Sequence, residues 1–571
     1  MLPRSRFALF APIFVAACSS GDAIEPAPAS PPAPPAASAP PPADAPATRG
    51  LVPAACRFVV PRSVEGTALR CADLLVPENR DKADSRTIKV HVVVFKGKEG
   101  GVPTIELNGG PGASSEMTVA ELSVKTPRAM AEYGRFLELG DLVLFDPRGV
   151  GRSQPSLSCP EDGSFDPVAR CRADFAKKGV DLTGYVTREI ADDVHDLAVG
   201  LGAAKVSLHG ISYGTRLGLE VLRRHPSDVA AAVIDGVVPA QAKLLTEGSH
   251  NIDALLTHVF EACDADAKCA AAYPDLEGTL TALKTKLEAT PFESATSGRY
   301  DWEAYTHDLF QRLYGEGTAG RLPFELHDLA AKTPEQFKAD EAKQLAEEDQ
   351  AYAEYEAALR SSPLGQELAA GMAADPSFEE MASGDFFGMY MSVVCSDYGQ
   401  YESLAEALAA EATVRPALQS REMVEQTFAE CDAWPKRARS TDGLQAVAAA
   451  TPVLTVGGEV DPATPYRWAA AAAKTLSGSQ LVEMLGGAHG AMDACALDLK
   501  IGFLKAASAV DTSCTRSRSL AFYYPAAAAA APAFAAQAGL GADVARRRRI
   551  LDPVNAVSAI AARARGVQRR R

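Results

Sequence analysis

Apolar residues along this chain fall into two alternating patterns. Short runs rich in Val, Ile and Leu are bounded by Gly, Pro, Asp or Asn. Between them lie longer stretches with helical spacing. Residues 88–95 (IKVHVVVF), 104–107 (TIEL), 142–145 (LVLF), 206–208 (VSL), 232–234 (AVI), 453–456 (VLTV) and 481–485 (LVEML) read as strands. Residues 188–201 and 216–224 read as amphipathic helices. This alternation predicts an α/β fold, a mostly parallel sheet with helices on both faces. Such sheets place their chemistry at the carboxyl ends of the strands. Every motif discussed below follows a strand.

The alternation breaks over residues 241–450. This stretch is Ala- and Glu-rich and helical in pattern, with an acidic, solvated segment at 341–360 (EAKQLAEEDQAYAEYEAALR). It reads as a helical lid inserted between a first core segment, 50–240, and a second, 451–520. A separate helical domain is the alternative, but the return of a strand at 453 favours insertion. From residue 515 the core pattern fades. Eleven arginines there face only Asp543 and Asp552, so residues 521–571 read as a disordered basic tail.

Composition narrows the partners. The chain of 571 residues is 47% hydrophobic and 23% charged, ordinary for a globular protein. A net charge of −16 argues against nucleic acid, which requires a basic face. At the N-terminus, Arg4 and Arg6 precede a short apolar segment that ends in Val15-Ala16-Ala17-Cys18. This resembles a bacterial lipoprotein signal, residues 1–18, with Cys18 lipidated; ordinary secretion is the alternative. Residues 19–49 are mostly Pro, Ala and Ser, a tether that cannot bury a core. Together these features place the protein in the bacterial cell envelope, membrane-anchored or secreted. Setting Cys18 aside leaves ten of the eleven cysteines. Export favours disulfides. Cys56 with Cys71, Cys159 with Cys171, Cys263 with Cys269, Cys395 with Cys431 and Cys495 with Cys514 is the simplest pairing, though ten cysteines allow many others. No CxxC spacing suggests a metal site.

The chemistry gathers at five places. Gly210-Ile211-Ser212-Tyr213-Gly214 follows a strand and precedes a helix, as a sharp turn presenting a nucleophilic serine requires. His489, in GGAHGAM after the last strand, is the candidate base. His209 adjoins the turn but sits on the strand and points away. Asp461, in VGGEVDPATP, is the candidate orienting carboxylate, with Glu459 as the fallback. Asn108-Gly109-Gly110-Pro111-Gly112 follows TIEL, and its glycines let a backbone N–H approach a substrate oxygen; Gly110 and Tyr213 are the candidate oxyanion donors. Ser–His–Asp chemistry needs no metal or organic cofactor.

The runs NGGPGAS, VLFDPRGVGRS, HGISYGTRLGLE, GGEVDPATP and GGAHG resemble the alpha/beta-hydrolase superfamily, and within it the proline iminopeptidase and tripeptidyl aminopeptidase group. VVCSDYG, Cys431 and Trp434 resemble the C-terminal part of secreted tripeptidyl-aminopeptidase-like proteins. The resemblance spans about residues 50–520. It implies an alpha/beta-hydrolase fold with a helical cap, oxyanion contacts from the Gly-Gly-Pro-Gly loop and a brace from Asp146 to Ser153. It also implies release of short pieces from peptide N-termini. Asn108 stands where many iminopeptidases carry His, which weakens any expectation of a proline preference. Capturing an α-ammonium calls for an acidic group, for which Asp397 and Glu116 are candidates. An esterase with the same triad, and a non-catalytic surface protein on a hydrolase scaffold, are the rival readings.

Overall fold

A computed structural model describes residues 50–159, 167–295, 298–383 and 386–525. The lipidation candidate Cys18, the tether and residues 526–571 lie outside the described residues. Nine strands form one sheet: β1 (Gly50–Pro53), β2 (Leu69–Pro77), β3 (Thr87–Phe95), β4 (Thr104–Leu107), β5 (Leu142–Phe145), β6 (Val206–Ile211), β7 (Val229–Asp235), β10 (Val453–Gly458) and β11 (Ser479–Met484). Two further strands, β8 (Phe292–Ser294) and β9 (Gly298–Tyr300), pair as a small hairpin apart from it. The sheet order is β1-β2-β3-β5-β4-β6-β7-β10-β11. Pairing is antiparallel from β1 to β5 and parallel from β5 to β11. This is the alpha/beta-hydrolase arrangement. The pattern of short apolar runs marked seven of these nine strands; β1 and β2 pass beneath that reading because β1 is short and β2 mixes charge into its run.

Alternate residues of each central strand enter opposite cores, as the two-residue repeat of a strand requires. On β3, Val90, Val92 and Val94 face one core while Val93 and Phe95 face the other. On β7, Ala232 and Ile234 face the first, and Ala231 and Val233 the second. Helices Thr187–Gly200 and Tyr213–Arg224 cover the first face; helix Ala494–Ala506 covers the second. Burial on both faces explains why the parallel strands are continuous apolar runs rather than alternating ones.

Between β7 and β10 the chain leaves the sheet and forms helices. Part of this stretch has its own core, built from Leu256, Leu280, Leu283, Leu287, Leu309 and Leu326. Another part does not: Met389, Met391, Val394 and Trp434 pack into the sheet's first core. The acidic helix Pro334–Arg360 is not wholly solvated either. Its Leu359 is buried, and Tyr355 donates to Glu121 at 3.0 Å.

The chain past residue 519 lies against the cap. Leu520, Phe522 and Tyr524 pack on the cap's own core. The Tyr523 N–H donates to the Gly320 carbonyl at 2.9 Å, and its carbonyl accepts from Tyr273 Oη at 2.7 Å. Aromatic residues spaced two apart anchor this strip, although the alanines that follow hid it in the sequence. All five neighbouring cysteine pairs are bridged.

Candidate active site

The turn after β6 is forced on the chain by close packing. Ser212 sits at φ 57°, ψ −126°, a strained backbone for a residue with a side chain. The turn is possible because glycines flank it. A Cβ on Gly214 would lie 1.8 Å from the Leu107 carbonyl oxygen, and one on Gly210 would lie 2.7 Å from the Gly214 carbonyl oxygen. The Ser212 N–H donates to the Asp235 carbonyl at the end of β7, at 3.1 Å. The helix Tyr213–Arg224 starts at the next residue, so the amide of Tyr213 stands among the free donors of a helix N-terminus.

The loop after β4 lies directly on this turn. A Cβ on Gly109 would come within 3.1 Å of the Ser212 Cβ. Gly110 adopts φ 102°, closed to ordinary side chains. Asp146, after β5, holds the far end of the loop. Its Oδ1 accepts from the Ser115 N–H at 2.7 Å and the Ser114 hydroxyl at 3.0 Å, and its Oδ2 accepts from the Arg152 N–H at 2.7 Å. Burial pushes this carboxyl up to about 7, against those donors. Arg148, fully buried, grips Asp193 with Nε and Nη2 and the carbonyls of Glu78 and Gly184 with Nη1. The run from Asp146 to Ser153 therefore fixes the loop and its neighbours.

Beyond β10 and β11 the other two residues meet. His489 Nδ1 lies 2.8 Å from Asp461 Oδ2. Asp461 Oδ1 accepts from the amides of Ala463 and Thr464, both at 2.8 Å, and Oδ2 accepts from the Thr464 hydroxyl at 2.6 Å. The two loops are stitched together, the Val460 N–H donating to the Gly487 carbonyl at 2.9 Å. Burial alone would lower the His489 pKa, but the charge of Asp461 and its hydrogen bond, with a smaller contribution from Asp235, raise it above the ordinary value. Tyr314, from the cap, stands edge-on to the imidazole with ring centroids 4.8 Å apart.

The two halves share one neighbour. A Cβ on Gly236, one residue past Asp235, would lie 3.2 Å from His489 Cε1, and one on Gly490 would lie 2.9 Å from Ile211 Cγ2, beside Ser212. Ser212, Asp461, His489, Gly110 and Tyr213 thus gather at the carboxyl edge of the sheet. No hydrogen bond joins Ser212 Oγ to His489 among the described residues.

The acidic candidates fare differently. Glu116 is fully buried; its carboxylate is taken by Arg152 Nε at 2.5 Å and the Val59 N–H at 2.7 Å. Both partners hold it in the interior. Asp397 Oδ2 accepts from the Thr187 N–H at 2.8 Å and its hydroxyl at 2.5 Å, and that hydroxyl also meets Tyr213 Oη at 2.9 Å. Asp397 lines a cavity of about 390 Å³ together with Arg188, Arg216 and Arg224. Glu220 and Asp442 line the same cavity, so its charges are mixed. Through the Thr187 hydroxyl, Asp397 is linked to the Tyr213 side chain. Glu459 is likewise committed, to the Gly486 N–H at 2.6 Å and His258 at 3.0 Å. His209 points to the opposite face, 2.6 Å from Glu106.

Thr464 and Tyr314 were not legible as site residues. Thr464 lies in the quoted DPATP run, where only the turn could have flagged it. Tyr314 comes from the cap, and nothing in its local sequence points toward His489. Among the described residues one group could offer metal ligands: His195, His225 and Asp228, with ligand atoms within 4.8 Å of one another. The two rings stack at 4.2 Å and 10°, and each is bonded to a carboxylate, at 2.5 Å and 2.8 Å. Parallel rings cannot both aim in-plane lone pairs at one ion without turning.

The chain is similar in part to several known proteins. Residues 416–514 match the family model described as TAP-like protein. Serine protease Hip1 of Mycobacterium tuberculosis is 29% identical over 211 residues, covering 33% of this chain and 39% of that one. Carboxylesterase B of the same species is 35% identical over 144 residues, covering 25% and 27%. Tripeptidyl aminopeptidase of Streptomyces coelicolor is 32% identical over 158 residues, covering 24% and 28%. The chain thus spans well under half the length of these relatives. A solved esterase from Exiguobacterium antarcticum aligns at 16% identity with a TM-score of 0.32, over 76% of this chain and 96% of that one. At that score the fold rests on the strand order itself.

Proposed function

We propose that this alpha/beta-hydrolase, with its TAP-like C-terminal region, is a serine hydrolase that releases short pieces from the N-termini of peptides. The observation carrying the proposal is the strained Ser212 at the end of β6, set beside the Asp461–His489 pair at the neighbouring strand ends. With Asp461 accepting at Nδ1, the His489 Nε2 is left to act as base. Ser212 Oγ attacks the substrate carbonyl carbon as its proton passes to Nε2. The amides of Gly110 and Tyr213 stabilise the resulting oxyanion. Collapse expels the amine, which takes the proton back from His489. A water molecule, deprotonated by the same nitrogen, then attacks the acyl-enzyme and frees Ser212. The absent Ser212–His489 hydrogen bond fits a free enzyme, where such bonds are often long and tighten around substrate.

Peptide substrates are favoured by the names of two relatives, a serine protease and a tripeptidyl aminopeptidase. An esterase is the second reading, favoured by the carboxylesterase relative. A panel of chromogenic aminoacyl, tripeptidyl, N-blocked tripeptidyl and short-chain ester substrates separates them. The unblocked tripeptide should be cleaved fastest, and Ser212→Ala should lose both turnover and fluorophosphonate labelling. Preference for blocked peptides or esters overturns the exopeptidase reading; labelling that survives Ser212→Ala overturns the nucleophile.

A further inference from the structure

A charged pair lies buried beneath the candidate triad and has no place in the mechanism above. Lys500, on the helix Ala494–Ala506, and Asp235, the last residue of β7, are 0% and 1% exposed. Lys500 Nζ stands 2.7 Å from Asp235 Oδ2 and donates to the Ala491 carbonyl at 2.6 Å. Burying two charges costs several kcal/mol per ion before their attraction is counted. An apolar pair would fill the same space without that cost, so the pair's position is informative. Asp235 accepts the Ser212 N–H through its carbonyl. Gly236, the next residue, faces the imidazole of His489. Ala491 is two residues past His489, on the same loop. One ammonium thus spans from the strand behind the nucleophile to the loop that carries the base.

We infer that Lys500 is a positioning residue for the proposed hydrolysis: it ties the end of β7 to the His489 loop and offsets the charge of Asp235, so that Asp461 remains the larger influence on the imidazole. The groups facing His489 are consistent with this. Asp461 and the Thr464 hydroxyl meet it from the loop after β10, Asp235 from β7, and Tyr314 from the cap. Asp235 is the one carboxylate here with a cation of its own. Without Lys500 it would act as a second anion on the imidazolium, and the base would remain protonated to higher pH. The loop, released at Ala491, would also be less well placed, and small misplacements of a catalytic group can cost roughly a hundredfold in rate.

This inference rests on the serine-hydrolase reading. The test is the pH profile of kcat/KM for the full chain with a chromogenic substrate, alongside fluorophosphonate labelling. Lys500→Met should lower kcat/KM roughly ten- to hundredfold and move the acid limb to higher pH. Asp235→Asn should move that limb to lower pH, because Lys500 then stands unopposed. The double variant should return the limb towards wild type while the loss in rate persists. A purely structural role would lower the rate with the limb unmoved, and that result overturns the inference. Should Lys500→Met fail to fold, Asp235→Asn against the double variant reads the same coupling, and identical limbs overturn it. Labelling that persists in Ser212→Ala defeats the hydrolase reading instead; Ser212-dependent labelling with an unmoved limb defeats only the role of Lys500.

Discussion

At the scale of single residues, the site is a set of contacts that no substitution leaves alone. Gly214 is fixed by the 1.8 Å that a Cβ would leave to the Leu107 carbonyl oxygen. Asp461 is held by three donors besides His489, which orient its carboxylate to receive the imidazole. Asp461→Asn should keep the fold and lower kcat by roughly 10³- to 10⁴-fold, through loss of the tautomer that leaves Nε2 free. The sign of the pH dependence follows from His489. It must be neutral to accept a proton, and its pKa is raised above the ordinary 6.5. Activity in the wild type should therefore fall with acidification through a midpoint above 6.5. A midpoint below that value would mean that burial outweighs Asp461 at the base. The candidate triad residues, the candidate oxyanion donors and Asp146 could be picked out because each lies in a short run with Gly, Pro or Asp after a strand. The partner of Glu116 was not legible, since an acid near a loop looks the same in sequence whether it faces solvent or an interior arginine.

At the scale of elements, the helices inserted between β7 and β10 do two different jobs. Those around Leu256, Leu280 and Leu283 make a core of their own. The segment carrying Met389, Met391 and Cys395 is part of the sheet's core, and the Cys395–Cys431 bridge closes the stretch between them. Both halves have the same helical periodicity and similar composition. The sequence therefore reported one lid, and only packing divided it. The bridge spans 36 residues, for which chain entropy gives about 3–4 kcal/mol. The Cys395→Ala/Cys431→Ala double variant should lose stability of that order in chemical denaturation. An unchanged midpoint would mean that the local packing holds the segment without it.

At the scale of the whole molecule, catalysis and anchoring are proposed for different parts of the chain. No helix among the described residues is long and apolar enough to cross a membrane. We propose that the chain is held at the bacterial envelope by a lipid on Cys18, with residues 19–49 as tether. Cys18→Ser should move the protein from the membrane fraction to the soluble fraction without changing kcat/KM. Retention on membranes would refute the anchor. The docking of Leu520 to Tyr524 on the cap ties the end of the sheet domain to the inserted helices.

The sequence by itself determined what is local. Strand and helix positions follow from apolar spacing and the turn at Ser212 from its glycines, while the neighbouring cysteine pairing was only the simplest of many. Tertiary structure alone decided what depends on residues far apart in the chain. It put Tyr314 against His489, Lys500 against Asp235, Arg152 against Glu116 and Tyr523 against Gly320. The physical reason is that periodicity records which face of an element is buried. It does not record which partner buries it, and in these pairs the partner sets the role of the residue.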